Sequence, residues 1–261
     1  MEFGLDSVAR NDRLQRLRQI KHGPDRRGWA TVLCTRFGHY TPDDHYESCV
    51  ESLVGERTDW IDVGGGHAIF PSNPRLAQIL AGRCRRLVAV DPSSNVNRNP
   101  FAHERHQVML EDCLEDEGFD LATMRMVVEH VVRPAEFVAS LGRLVRPGGK
   151  AVVYTVNRWA PVTMISSNTP MWFHHAAKKI LWRTREEDTF PVVYRMNTRS
   201  RLRSLFSNGG FREVFCRRLD DCRTFARWKI TLTAELALWK TLQAAGCRYP
   251  ETCLLGVYER L

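Results

Sequence analysis

The stretch Asp62-Val63-Gly64-Gly65-Gly66-His67-Ala68 sets a carboxylate at the end of a short apolar run and follows it with three glycines. A carboxylate placed there can accept from an ammonium or an amide, and glycine lets the backbone turn sharply and approach a ligand because no Cβ intervenes. A plain structural turn has the same composition, so the motif needs company. Asp91 provides it, since it closes the next run, Arg86 to Val90, at a distance suited to gripping ribose hydroxyls. Asp112 follows a third run, Gln107 to Leu110, and can accept from an exocyclic amine such as adenine N6, with the Cys113 backbone N–H facing a ring nitrogen. Taken alone, Asp112 also reads as a solvated loop acid among Glu111, Glu115, Asp116 and Glu117. A fourth run ends near Met124, whose soft side chain can pack on a planar base. A nicotinamide dinucleotide fits this pattern poorly, because Ile69 stands where its fingerprint takes a small residue.

These residues need strands to carry them, and the hydrophobic pattern predicts strands at 60–63, 86–90, 107–110, 119–124 and 150–156. Helices are expected at 75–83 and 134–145, the second stopped by Pro147-Gly148-Gly149. Further on, a helix from 198 stops at Gly209-Gly210, a strand covers 211–217, a helix covers 222–245 and a last strand covers 252–259. Alternating strands and helices predict an α/β fold with a mostly parallel sheet, right-handed crossovers and helices on both faces. Ligands in such sheets lie outside the carboxyl ends of the strands, where the glycines and acids fall here. Residues 1–57 read as an N-terminal helical or cap segment and 58–261 as the main domain, with cap-like insertions at about 158–197 and 219–250.

The chain has 261 residues, 43% hydrophobic and 26% charged, which suits a folded globular domain. No run approaches the ~20 apolar residues of a membrane span, and the charged N-terminus lacks a secretory h-region. Eight scattered cysteines without a C-x-x-C pair read as buried thiols in a reducing compartment, so a cytoplasmic location is expected. The net charge is +8, and Arg10, Arg13, Arg16, Arg18, Lys21, Arg26 and Arg27 read as a solvated basic face.

In order and spacing, Trp60-Ile-Asp-Val-Gly-Gly-Gly66, Val88-Ala-Val-Asp91, Glu111-Asp112-Cys113, Phe119-Asp120, Val127-Val-Glu-His-Val131 and Leu144-Val-Arg-Pro-Gly-Gly-Lys150 resemble the class I, Rossmann-like S-adenosylmethionine-dependent methyltransferases. The likeness is to their small-molecule type, which includes quinone O-methyltransferases, and it covers residues 58–157 closely. It implies a seven-stranded sheet and S-adenosyl-L-methionine as cofactor. It places Gly64, Gly65, Gly66 and His67 in the loop against the methionine moiety and Asp62 near the amino group. It also puts Asp91 on the ribose, and Asp112, Cys113 and Met124 around the adenine. The sequence departs from the family at Ala68, where a third glycine is common, and at His67, where a small hydroxyl residue is common. A further departure is Met126, which stands where the quinone enzymes carry a glutamate that joins the Glu-His pair in binding a divalent cation. Thioether sulfur is a poor ligand for a hard cation, so no metal requirement is expected.

A sulfonium methyl is already a strong electrophile, so the protein chiefly has to align a nucleophile and, where needed, remove a proton. His130, just past the fourth strand, is the candidate general base, against the alternative of a histidine packed at a helix start. Asn157, Tyr194, Arg195 and Asn197, and Tyr40 and His45 from the N-terminal segment, are candidates for the acceptor site. Residues 170–183 mix aromatic and basic side chains at helical spacing and read either as a cap helix or as a peripheral contact with anionic membrane. The expected acceptor is a small molecule, methylated on O, N or C. Two alternatives stand beside this reading. One is a nucleic-acid methyltransferase, which the charge favours and the sequence Met124-Arg125-Met126 after the fourth strand disfavours. The other is a catalytically silent cofactor-binding partner subunit.

Overall fold

The computed structural model describes residues 7–23, 28–114, 118–161, 190–223 and 226–261. Seven strands form one sheet in the order β3-β2-β1-β4-β5-β7-β6. β1 (Asp59–Val63) is buried along its whole length and pairs in parallel with β2 (Arg86–Val90) and β4 (Phe119–Arg125). β5 (Val145–Val156) continues the parallel set. β7 (Glu251–Arg260) then runs antiparallel between β5 and β6 (Phe211–Asp220). Strands buried on both faces read as continuous apolar runs, which is why β1 and β2 are visible in the sequence.

Alternate strand residues feed two cores. Ile61, Val88, Ala122 and Val153 face α5 (Pro134–Leu144) and α6 (Arg199–Asn208). Trp60, Leu87, Leu121 and Val152 face α4 (Pro74–Arg83), α1 (Ser7–His22) and α3 (Pro42–Glu51). A third cluster joins α2 (Trp29–Phe37) to α7 (Lys229–Ala244) through Leu33, Cys34, Leu236 and Trp239. Among the described residues, no helix is long and apolar enough to cross a membrane.

Four expectations are corrected. The third strand, β3, is Glu104–His106 rather than 107–110. Among the described residues it pairs with β2 alone, and an edge strand needs no apolar run. The apolar residues after it form a loop and a 3-10 turn, Leu110–Asp112, that inserts Leu110 into the core. β5 begins at Val145, because Val145 already pairs with Phe119 before an irregularity at the Pro-Gly-Gly segment. The helix expected over 222–245 starts only at Lys229. Nor do Arg13, Arg16, Arg18 and Lys21 of the N-terminal basic run form a solvated face, while Arg26 and Arg27 lie outside the described residues. Arg13 and Arg16 pair with Glu51 (3.2 and 2.7 Å), Lys21 with Asp44 and Glu47 (3.0 Å each), and Arg18 lies 3.6 Å from Asp44. These cations neutralise the buried acids of α3 and so fasten α1 across it. The 170–183 segment lies outside the described residues.

Candidate active site

A cavity of about 620 Å³ opens at the carboxyl ends of β1, β2 and β4. Asp62 leaves the end of β1 directly opposite Thr123 of β4, and its Oδ1 accepts from the Thr123 hydroxyl at 2.5 Å. The same hydroxyl accepts from Trp60 Nε1 at 2.7 Å, so a buried relay fixes the carboxyl's orientation. Burial pushes the Asp62 carboxyl up to about 7, against the pull of the Thr123 hydrogen bond and the Arg125 charge.

The chain after β1 turns at Gly64, whose φ is +70° and whose N–H donates to Val90 O at 2.8 Å. A Cβ at Gly64 would sit 2.3 Å from Val127 Cγ2, so only glycine fits. Gly66 (φ +40°) donates its N–H to Asp91 Oδ2 at 3.0 Å, and Ser93 N–H donates to Oδ1 at 2.8 Å. Each Asp91 oxygen keeps a free lone-pair direction, and Asp91 and His67 both line the cavity. Asn99, fully buried, holds the loop from behind by donating to Gly65 O at 3.2 Å.

Val108, Met109, Leu110 and Glu111 make an adjacent wall. Here the structure separates residues that the sequence groups together. Asp112 is exposed and off the cavity, whereas Glu111 lines it with Oε2 buried and lacking a hydrogen-bond partner among the described residues. The Cys113 N–H is already used, donating to Leu110 O at 3.2 Å to close the 3-10 turn, and its side chain is in the core. Met124 is likewise wholly buried in the core, while Met126, in the left-handed region at φ +54°, takes the place on the cavity wall.

Arg125, Met126, Val127 and His130 form the side contributed by β4 and its following loop. His130 Nδ1 lies 3.1 Å from Pro191 O. A carbonyl only accepts, so Nδ1 carries the proton in this contact and Nε2 is left as the basic nitrogen. Glu129 points the other way. It is buried, its Oε2 accepts from Thr155 Oγ1 at 2.8 Å, and burial raises its pKa. Arg125 is held by Asp43 of α3 at 2.9 Å, and Asp43 also meets Arg223 at 3.4 Å. Thr123, Arg125, Asn99 and Glu111 are the site residues that sequence reasoning misses. Of these only Thr123 leaves a trace, as a hydroxyl within an apolar strand.

The six acceptor candidates do not line this cavity. Tyr40 and His45 line a second one, of about 400 Å³, and Tyr194, Arg195 and Asn197 a third, of about 520 Å³. Asn157 is structural: it is buried, donates to Glu251 O at 2.9 Å and accepts from Trp159 N–H at 3.2 Å.

Among curated proteins, the chain is similar to a ubiquinone biosynthesis O-methyltransferase of Alkalilimnicola ehrlichii, at 29% identity over 125 residues, 44% of this chain and 47% of that protein. It thus spans about half the length of the curated relative it matches. The fold is similar to that of an S-adenosylmethionine-dependent methyltransferase from Mesorhizobium loti (TM-score 0.53, 19% identity, 84% of this chain and 98% of that one). It is also similar to that of geranyl diphosphate C-methyltransferase from Streptomyces coelicolor (TM-score 0.54, 13% identity, 94% and 88%). Residues 14–214 match the methyltransferase domain family, and with more than half its length inside that match the chain belongs to this family.

Proposed function

We propose that the protein is an S-adenosylmethionine-dependent methyltransferase acting on a small molecule. The observation that carries this reading is the convergence of two carboxylates, Asp62 and Asp91, with a loop that has room only for glycine at Gly64, on one cavity. The cavity's own chemistry suits this cofactor. Asp62 offers a buried carboxylate to an ammonium, and Asp91 offers two acceptor positions to vicinal hydroxyls. The unpartnered Glu111 Oε2 offers an acceptor to an exocyclic amine, beside the apolar Val108, Met109 and Leu110. Glu111 therefore replaces Asp112 as the proposed adenine contact.

When bound, S-adenosylmethionine supplies a methyl group activated as a sulfonium. The protein's share is placement, exclusion of water and proton removal. His130, its Nδ1–H committed to Pro191 O, presents Nε2 as acceptor for the proton of an attacking hydroxyl. The curated relative's name supports oxygen as the accepting atom. No divalent cation takes part in this reading, because Glu129 is turned toward Thr155 and Met126 occupies the adjoining wall. Activity unchanged by EDTA is the expected result, and loss restored by magnesium would overturn it.

The primary test is calorimetry with S-adenosylmethionine and S-adenosylhomocysteine, with NAD as control. Binding of both, weakened about 100-fold by Asp91→Ala, is expected from the loss of two hydrogen bonds to a charged acceptor. Binding of NAD in preference to either ligand would defeat the proposal.

A further inference from the structure

The second cavity, about 400 Å³, lies between α1, the turn leading into α3 and the end of β6. Arg10, Tyr40, His45, Arg217, Arg218 and Asp220 contribute its polar walls. Asp220 is already engaged, accepting from Trp239 Nε1 at 2.9 Å and lying 3.5 Å from His39 Nε2. Arg218 meets Glu251 at 3.4 Å. Arg10 and Arg217 are different. Among the described residues neither lies within ion-pair distance of a carboxylate, although the cations that follow Arg10 on α1, from Arg13 to Lys21, are paired. Arg10 Nε is moreover buried without a hydrogen-bond partner.

An unsatisfied guanidinium nitrogen beside a second guanidinium is unfavourable twice over, through lost hydrogen bonding and through like-charge repulsion. Both effects register on the neighbours. Burial and Arg10 lower the Arg217 pKa against the opposing charge of Asp220, and burial with Arg217 and Arg10 outweighs Asp44 and Asp220 to push His45 down to about 4, which leaves that imidazole neutral at physiological pH. Tyr40 is fixed beside it, with Arg18 stacked 4.0 Å from its ring centroid and His45 edge-on at 6.2 Å. Two guanidinium forks outside ion-pair distance of any described carboxylate, a phenol and a neutral imidazole on one cavity form a receptor for an oxyanion. We propose that this cavity binds the phosphate or carboxylate group of a small anionic ligand, clamped by Arg10 and Arg217 and completed by Tyr40 and His45.

The site adjoins the methyl-transfer cavity through one helical turn, since Asp43 reaches Arg125 on the first cavity while His45 lines the second. The proposal rests on the charge balance of this cavity and stands whether or not the first cavity takes S-adenosylmethionine.

Calorimetry with pyrophosphate and with succinate distinguishes the two anion chemistries. Saturable binding of at least one at low salt is expected, weakened about tenfold or more by Arg10→Ala and by Arg217→Ala but not by Arg57→Ala, which removes an exposed cation elsewhere. Thermal unfolding of each variant identifies any that fails to fold. An independent readout on the unaltered protein is the NMR titration of the His45 ring, whose pKa rises by about a unit or more when an anion sits beside it. No binding of either anion, binding indifferent to both arginines, equal loss with Arg57→Ala, or a His45 titration unmoved at saturating anion would each overturn the proposal.

Discussion

Asp62 links the protein's pH response to its ligand. Its carboxyl, near 7 in the folded protein against about 4 in an unfolded chain, holds a proton across that interval. The stability it contributes is therefore present at low pH and is lost as pH rises through about 7. An ammonium-bearing ligand needs the ionised form. Affinity for S-adenosylhomocysteine is thus expected to climb with pH, approaching about tenfold per unit below 7 and levelling above it, and Asp62→Asn removes the dependence. Calorimetry between pH 5.5 and 8.5 checks this, and a flat profile would refute it. Gly64 is a second sensitive point. Gly64→Ala forces a Cβ against Val127 at a left-handed φ, which is expected to destabilise the fold by about 2 kcal/mol and abolish binding. Gly64→Ala combined with Val127→Ala recovers part of the stability in thermal unfolding, because the clash goes while the backbone strain stays.

At the scale of elements, α3 is the part that most directly joins the N-terminal helices to the site. Thr41 and Asp44 form a capping box that fixes its first turn, and Asp43 on that turn bridges Arg125 and Arg223. Asp43→Ala strips both cations of a partly buried partner. It is expected to cost about 2 kcal/mol in chemical denaturation and to weaken cofactor affinity through Arg125. The capping box is local to residues 41–44, but nothing in the sequence tells that Asp43 meets residues 82 and 180 positions away. The same contrast runs through the molecule. Asp62 and Asp91 are legible because each ends a strand buried on both faces, so the apolar run has a sharp edge that points to them. Glu111 is not, because β3 at the sheet margin has no apolar run and the hydrophobic signal slides into the loop beyond it. Arg10 and Arg217 are brought to one cavity from α1 and β6 by the tertiary fold, which leaves no periodic trace.

Across the whole molecule, the sheet divides into a parallel part that carries the candidate active-site cavity and an antiparallel end that completes it. Among the described residues β6 has no strand neighbour except β7, and Phe206 of α6 stacks on Tyr258 of β7 with ring centroids 4.0 Å apart. Removing residues 251–261 is therefore expected to abolish cooperative thermal unfolding rather than shift its midpoint, as read by circular dichroism. β7 also carries a consequence for biosynthesis. Until residue 260 has left the ribosome, β5 presents an unpaired edge of seven residues, Lys150 to Val156, and β6 has nowhere to dock, although β1 to β5 are already complete. The nascent protein thus passes through a stage with the parallel part of its sheet assembled and an adhesive margin uncovered, and β7 both joins β5 to β6 and ends the interval in which neighbouring chains can pair with that margin.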